Sequence, residues 1–144
     1  MKTYKCYFDG ACEPKNPGGK MGMGIYITDG EREFSKNTSI PALPENTNNI
    51  AEYKAFIMIL KCMQNKINSK IEIFGDSQLV IRQMNTEWQI KSGAYREYAL
   101  NAVQMLDELK KKNKITLTWI PRDQNEKADY QSMQAIGFER RKWK

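Results

Sequence analysis

Histidine is absent from this sequence. That absence excludes Ser-His-Asp and Cys-His nucleophile systems, and any zinc site built on imidazole. Cysteine is scarce and odd in number. Cys6, Cys12 and Cys62 form no Cys-x-x-Cys pair and read as reduced thiols, which places the chain in the cytoplasm. No apolar run reaches the roughly 20 residues that span a bilayer, and no signal-peptide pattern opens the chain. No membrane partner is therefore expected. Internal repeats, linkers and low-complexity stretches are also missing. Chemistry, if the chain performs any, must rest on carboxylates, amines, hydroxyls or a metal held by oxygen.

What is present is an ordinary apolar fraction of 40% over 144 residues, enough for one domain with a buried core. The formal charge of +6 favours a polyanionic partner such as nucleic acid. A monomer over residues 1–144 is the expected state.

The chain opens with a strand. Tyr4, Cys6 and Phe8 alternate with Lys5, Tyr7 and Asp9, the two-residue period of a pleated segment. Asp9 closes the run, Gly10 turns the backbone, and Asn16-Pro17-Gly18-Gly19 marks a loop. Residues 21–28 read as a second strand, Asp29-Gly30 as a hairpin turn, and residues 31–40 as a polar edge strand. Thr47-Asn48-Asn49 signals a helix start. The helix over 49–66 buries Ile50, Tyr53, Ile57, Leu60 and Met63, with Glu52 in its first turn. Residues 70–75 form a fourth strand, ended by Asp76, and Ser77 caps a short helix through Met84. Ser92-Gly93 starts another helix, which Lys110-Lys111-Lys112 ends with charges that complement its dipole. Residues 114–120 form the last strand. Asp123 and Glu126 can cap a final helix over 124–136. A basic, aromatic tail follows at 138–144, suited to a nucleic-acid contact or to a frayed terminus.

The order βββαβααβα predicts an α/β fold: a mixed five-stranded sheet, three strands antiparallel and two parallel, flanked by helices. Asp9 and Asp76 then end neighbouring parallel strands about 4.8 Å apart. Sites in such sheets form beyond the carboxyl ends of parallel strands. Glu52 and Asp129 can join them there. Each residue also has a plain reading on its own. Asp76 fits a helix cap, Glu52 a partner of the helix dipole, Asp129 a solvated helix face. Together they would repel one another unless a divalent cation relieved the repulsion. Mg²⁺ suits such a set, and two ions can activate a water and steady a leaving oxygen in phosphodiester hydrolysis.

At these residues the sequence resembles the type 1 ribonucleases H. The likeness rests on Phe8-Asp9-Gly10-Ala11 with Asn16-Pro17-Gly18-Gly19, on Thr47-Asn48-Asn49-Ile50-Ala51-Glu52, on Gly75-Asp76-Ser77-Gln78-Leu79-Val80, on Trp88, and on Asn125-Glu126-Lys127-Ala128-Asp129. It implies a ribonuclease H-like fold. It implies cleavage of the RNA strand of RNA–DNA hybrids, leaving 3′-hydroxyl and 5′-phosphate ends, with two Mg²⁺ or Mn²⁺ ions. Asp9, Glu52, Asp76 and Asp129 become the catalytic, metal-binding four. Asn48, Asn49 and Gln78 become readers of the minor groove and the RNA 2′-hydroxyls, and Gly10 and Asn16 join the substrate contacts. Thr47 becomes the holder of a DNA phosphate, and Trp88 the aromatic that packs along the DNA strand. By themselves, Thr47 and the asparagines also fit helix capping, and Trp88 a core or half-buried aromatic.

Two features depart from that pattern. The family's histidine loop is replaced by Pro121-Arg122-Asp123-Gln124, similar to a histidine-lacking, archaeal-like branch, and Arg122 stands as a candidate phosphate contact or a surface ion pair. The basic handle after the short helix is missing, with only Lys91 and Arg96 near Trp88. The rival readings are a non-catalytic hybrid- or duplex-binding module, and a nuclease that also cuts double-stranded RNA. A further rival is a different nuclease on the same fold, such as a junction resolvase or a proofreading exonuclease, but an exonuclease of that fold would carry Asp-x-Glu where this chain has Asp9-Gly10-Ala11.

Overall fold

The computed structural model describes residues 1–137. The basic tail at 138–144 lies outside the described residues. Five strands form one sheet in the order β3-β2-β1-β4-β5. They are β1 (Lys2–Glu13), β2 (Lys20–Thr28), β3 (Glu33–Ile40), β4 (Ser69–Gly75) and β5 (Lys114–Trp119). The β1–β2 and β2–β3 pairs are antiparallel, and the β1–β4 and β4–β5 pairs are parallel. The helices are α1 (Asn48–Met63), α2 (Gln78–Met84), α3 (Arg96–Lys110) and α4 (Glu126–Ala135). This is the predicted order and the predicted mixture. Exposure along β3 confirms it as the polar edge.

Alternation along β1 assigns its side chains to two faces. Cys6 and Phe8 point into the main core, where α1 contributes Tyr53, Phe56, Ile59 and Leu60, and β4 contributes Ile71 and Ile73. Ala11 points the other way, into a small cluster with Met133 and Ile136 at the α4 end. All three cysteines are free thiols. Among the described residues no helix is long and apolar enough to cross a membrane.

Several boundaries differ from the sequence expectation, each for a tertiary reason. Asp9 does not close β1. The strand runs on to Glu13 because β2 pairs along its whole length, from Lys5↔Thr28 to Glu13↔Lys20. What stops there is the parallel ladder, whose last pair is Phe8↔Gly75. Gly10 makes no turn. It lies mid-strand, where a Cβ would stand 2.2 Å from the Ala51 carbonyl carbon and 2.4 Å from the Glu52 nitrogen. Its missing side chain lets α1 lie directly on β1. The third helix starts at Arg96, three residues after Gly93. The last helix starts at Glu126, behind a separate 3-10 turn over Arg122–Gln124. Asn125, rather than Asp123, holds the capping position, and its side chain makes no cap.

Gly10→Ala should therefore force α1 off the sheet. A destabilisation of about 2–3 kcal/mol is expected, read as a lower urea midpoint at an unchanged m-value.

Candidate active site

Glu52 is the fifth residue of α1, so it sits beyond the first turn and is not placed as a dipole partner. The sequence expectation is corrected in its second half as well, since the side chain is buried. The N–H of Gly10 donates to Glu52 Oε1 at 2.9 Å. That bond is possible because nothing but a hydrogen separates β1 from α1 at this point. Asp9, 5% exposed, is level with the end of the parallel ladder, and its Oδ2 accepts from the Ser132 hydroxyl at 2.6 Å. Asp76 follows β4. The cap of α2 is Ser77, whose hydroxyl accepts from the Val80 N–H, so the Asp76 carboxylate is left for other work.

The structure brings the ligand atoms of Asp9, Glu52 and Asp76 within 4.8 Å of one another. Asp129 stands just outside that set of three. It is fully buried in α4, which excludes a solvated helix face, and its charge adds to the field on Asp9. Arg122 Nη2 lies 3.7 Å from Asp129 Oδ1. The arginine is itself exposed, but its partner is buried at the site, so this is no plain surface pair.

Electrostatics follow from this packing. Burial, and next the Asp76 charge, holds the Asp9 carboxyl well above the usual carboxylate range. Glu52 is raised by burial and then by Asp9 and Asp76. Asp76 is raised by burial, with the Asn125 amide and the Arg122 charge pulling the other way. Three acids stay raised side by side even with Arg122 close by, so the negative charge of the site is not fully balanced. An all-oxygen donor set of this kind suits a hard divalent cation, which would relieve desolvation and repulsion together.

An open groove of about 540 Å³ runs over the cluster. Asn48, Asn49, Gln78 and Arg122 line it beside Asp9, Gly10, Glu52 and Asp76. Thr47 and Asn16 stand behind it and fix α1. The Thr47 hydroxyl accepts from the Ile50 N–H at 3.1 Å, and Asn16 Oδ1 accepts from the Asn48 N–H at 3.0 Å. Trp88 is not a core aromatic, being 44% exposed, and it lies away from the groove lining.

Sequence reasoning missed four contributors. Ser132 steadies Asp9, and one helical turn after Asp129 was the position to inspect. Asn125, 1% exposed, donates to the Phe8 carbonyl at 2.9 Å and lies 3.4 Å from Asp76 Oδ2. Asn46, also buried, donates to the Gly19 and Pro41 carbonyls and ties the loops on either side of β2 and β3. Trp119 lines the groove, and its indole N–H donates to the Asp76 carbonyl at 3.2 Å. No local sequence signal separates Asn46 and Trp119 from ordinary polar or strand residues.

Known proteins share the sequence pattern and the fold. Residues 7–135 match the model of the family described as "Reverse transcriptase-like". A protein named Ribonuclease HI from Halobacterium salinarum is 31% identical over 130 residues, 90% of this chain and 62% of that one. A bifunctional protein of Mycobacterium tuberculosis is 27% identical over 79% of this chain and 30% of its own length. The chain thus spans less than two thirds of these curated relatives. The solved structure of LC11-RNase H1 in complex with RNA/DNA hybrid is 26% identical, with a TM-score of 0.79 over 93% of this chain and 96% of that one. With the family match running over residues 7–135 and the fold shared with solved ribonuclease H1 structures, the chain belongs to the reverse transcriptase-like family and is similar to the type 1 ribonucleases H.

Proposed function

We propose that the chain is a metal-dependent endoribonuclease that hydrolyses the RNA strand of RNA–DNA hybrids and leaves 3′-hydroxyl and 5′-phosphate ends. The observation that carries this reading is the set of three carboxylates, Asp9, Glu52 and Asp76, gathered within 4.8 Å at the floor of an open groove. The names of the relatives and the hybrid held by the LC11 protein support the substrate. We take residues 1–144 as a single domain that acts as a monomer in the cytoplasm.

Asp9, Glu52, Asp76 and Asp129 would hold two Mg²⁺ ions, with Mn²⁺ as a substitute. Ions bound there supply charge neutralisation, a more acidic water and stabilisation of the leaving oxygen. The chain's own groups prepare the rest. Gly10 N–H, the Ser132 hydroxyl and the Asn125 amide fix where the carboxylates point. With no histidine in the chain, no side chain with an ordinary pKa near 7 serves as base. Asn48, Asn49 and Gln78 offer amide donors and acceptors to the minor groove and the 2′-hydroxyl, the group that separates RNA from DNA. Thr47 uses an oxygen lone pair to cap α1, which leaves its O–H proton for a DNA phosphate. Arg122 offers a charged fork for a phosphate of the cut strand, and Trp88 packs along the DNA strand. Gly10 and Asn16 keep the groove wall close.

The test is one labelled RNA strand, paired in turn with DNA and with RNA, in Mg²⁺, Mn²⁺ and excess chelator. Cutting of the hybrid that chelator abolishes is the expected result. Full activity in chelator would overturn the mechanism. Cutting of both duplexes would extend the substrate to double-stranded RNA, and binding without cutting would make the chain a hybrid-binding module.

Asp9→Asn and Asp76→Asn should each lower turnover by more than about 10²-fold. In metal-free buffer the same variants should melt higher than the parent, by about 4 °C for each kcal/mol of repulsion relieved. Added Mg²⁺ should raise the melting temperature of the parent and raise the variants' less. Near-parental turnover in either variant would show the site to be wrongly assigned.

A further inference from the structure

Trp88 sits in a loop, residues 85–95, with almost no regular structure of its own. Its backbone and one side of its indole nevertheless make ordered contacts with Arg82. The Glu87 and Trp88 N–H groups both donate to the Arg82 carbonyl, at 2.8 and 3.2 Å. The Arg82 guanidinium lies 5.4 Å from the centre of the Trp88 ring and also bonds Glu87 and Gln78. These contacts are at the surface, where each is weak.

The strength lies underneath. Gln83 is 3% exposed, and its carboxamide is fully engaged. It accepts from the Tyr53 hydroxyl and donates to the Gln89 carbonyl at 2.9 Å and to the Tyr95 hydroxyl at 3.0 Å. That Tyr95 oxygen accepts a second bond, from the Lys91 N–H at 3.1 Å. The Tyr95 ring stacks on Tyr53, with centroids 5.9 Å apart and planes 4° from parallel. One phenol oxygen thus joins the last turn of α2 to the middle of the loop, while its ring is anchored on α1.

A buried glutamine is a costly way to fill space, since leucine or methionine would do so without desolvating an amide. Two of its three partners here, the Gln89 carbonyl and the Tyr95 hydroxyl, belong to the loop that carries Trp88. The segment between Trp88 and Tyr95 carries a single charge, Lys91, so the grip on a polyanion cannot come from a basic cluster there. A fixed aromatic surface can supply grip instead, because a side chain already ordered loses less entropy on binding.

We propose that Tyr95 is a positioning residue which, with Gln83, clamps the 85–95 loop so that the Trp88 indole is held in place before a nucleic acid arrives. The proposal rests on the hybrid reading above. Tyr95 touches no substrate itself and acts through Trp88. Its phenol oxygen, not its ring, is the working part, since the ring only secures the base of the clamp.

The experiment is a double-mutant cycle on hybrid cleavage with Tyr95→Phe and Trp88→Ala. Tyr95→Phe keeps the stacked ring and removes the two accepted bonds. It should raise KM, and the Kd for a hybrid measured in chelator, about fivefold, with kcat within twofold of the parent. In the Trp88→Ala background it should change neither. Gln83→Met, which keeps the volume and deletes the network, should show the same rise in KM with kcat held; its melting temperature should fall because the buried Tyr53 hydroxyl loses its acceptor, and the KM-against-kcat split measured below that temperature separates positioning from loss of fold. A fall in kcat at unchanged KM, unchanged KM in both variants, or full multiplication of the effects in the double variant would overturn the clamp while leaving hybrid cleavage standing. A parent protein that neither binds nor cuts the hybrid would overturn the hybrid reading, and the clamp with it.

Discussion

Like charges held close together in a dry place are the constraint that the rest of this molecule answers to. Two unit charges about 4 Å apart repel by roughly 4 kcal/mol at the effective dielectric of a protein site. A domain of this size is stable by only about 5–15 kcal/mol. Asp9, Glu52 and Asp76 therefore cannot all be ionised beside one another without help comparable to the stability of the whole fold. The chain supplies neutral dipoles, from the Gly10 N–H, the Ser132 hydroxyl and the Asn125 amide, and one nearby cation, Arg122. These fix direction more than they cancel charge. The raised affinity of Asp9 and Glu52 for protons shows the balance that remains.

The backbone makes room for this arrangement by leaving atoms out. β1 serves as the central strand up to Phe8 and as the wall of a groove beyond it, because its parallel neighbour ends at Gly75. Gly10 then admits α1 from one face. Gly24 admits α4 from the other, where a Cβ would stand 2.4 Å from the Ser132 nitrogen. Asp9 lies between these two close approaches. Glu52 and Ser132 reach it because both helices rest on bare backbone.

Much of this can be read along the chain. Period and turn chemistry give the strand order, the polar edge at β3 and the buried stripe of α1, since these depend on neighbours within a few residues. The four acids are legible as candidates because apolar runs lead into two of them and helix starts lead into the other two. What is not legible depends on a partner far away in the chain. Gly10 reads as a turn until α1 is seen lying on it. Asn125 reads as a loop residue, yet its amide reaches the carbonyl of Phe8, 117 positions away. The start of α3 is misplaced by three residues because Ser92-Gly93 has capping chemistry, whereas the segment up to Tyr95 is held instead by Gln83. Thr47 shows the opposite case: the plain capping role is what its oxygen performs, and the hydroxyl proton is still available.

The three gathered carboxylates come from positions 9, 52 and 76, on a strand, a helix and a loop that meet only in the finished sheet. No hairpin and no single helix contains any two of them. No fragment that stops short of β4 can assemble all three. The cluster has no half-built form. It exists only where β1, α1 and the end of β4 are packed together, so losing the core and losing the site are one event.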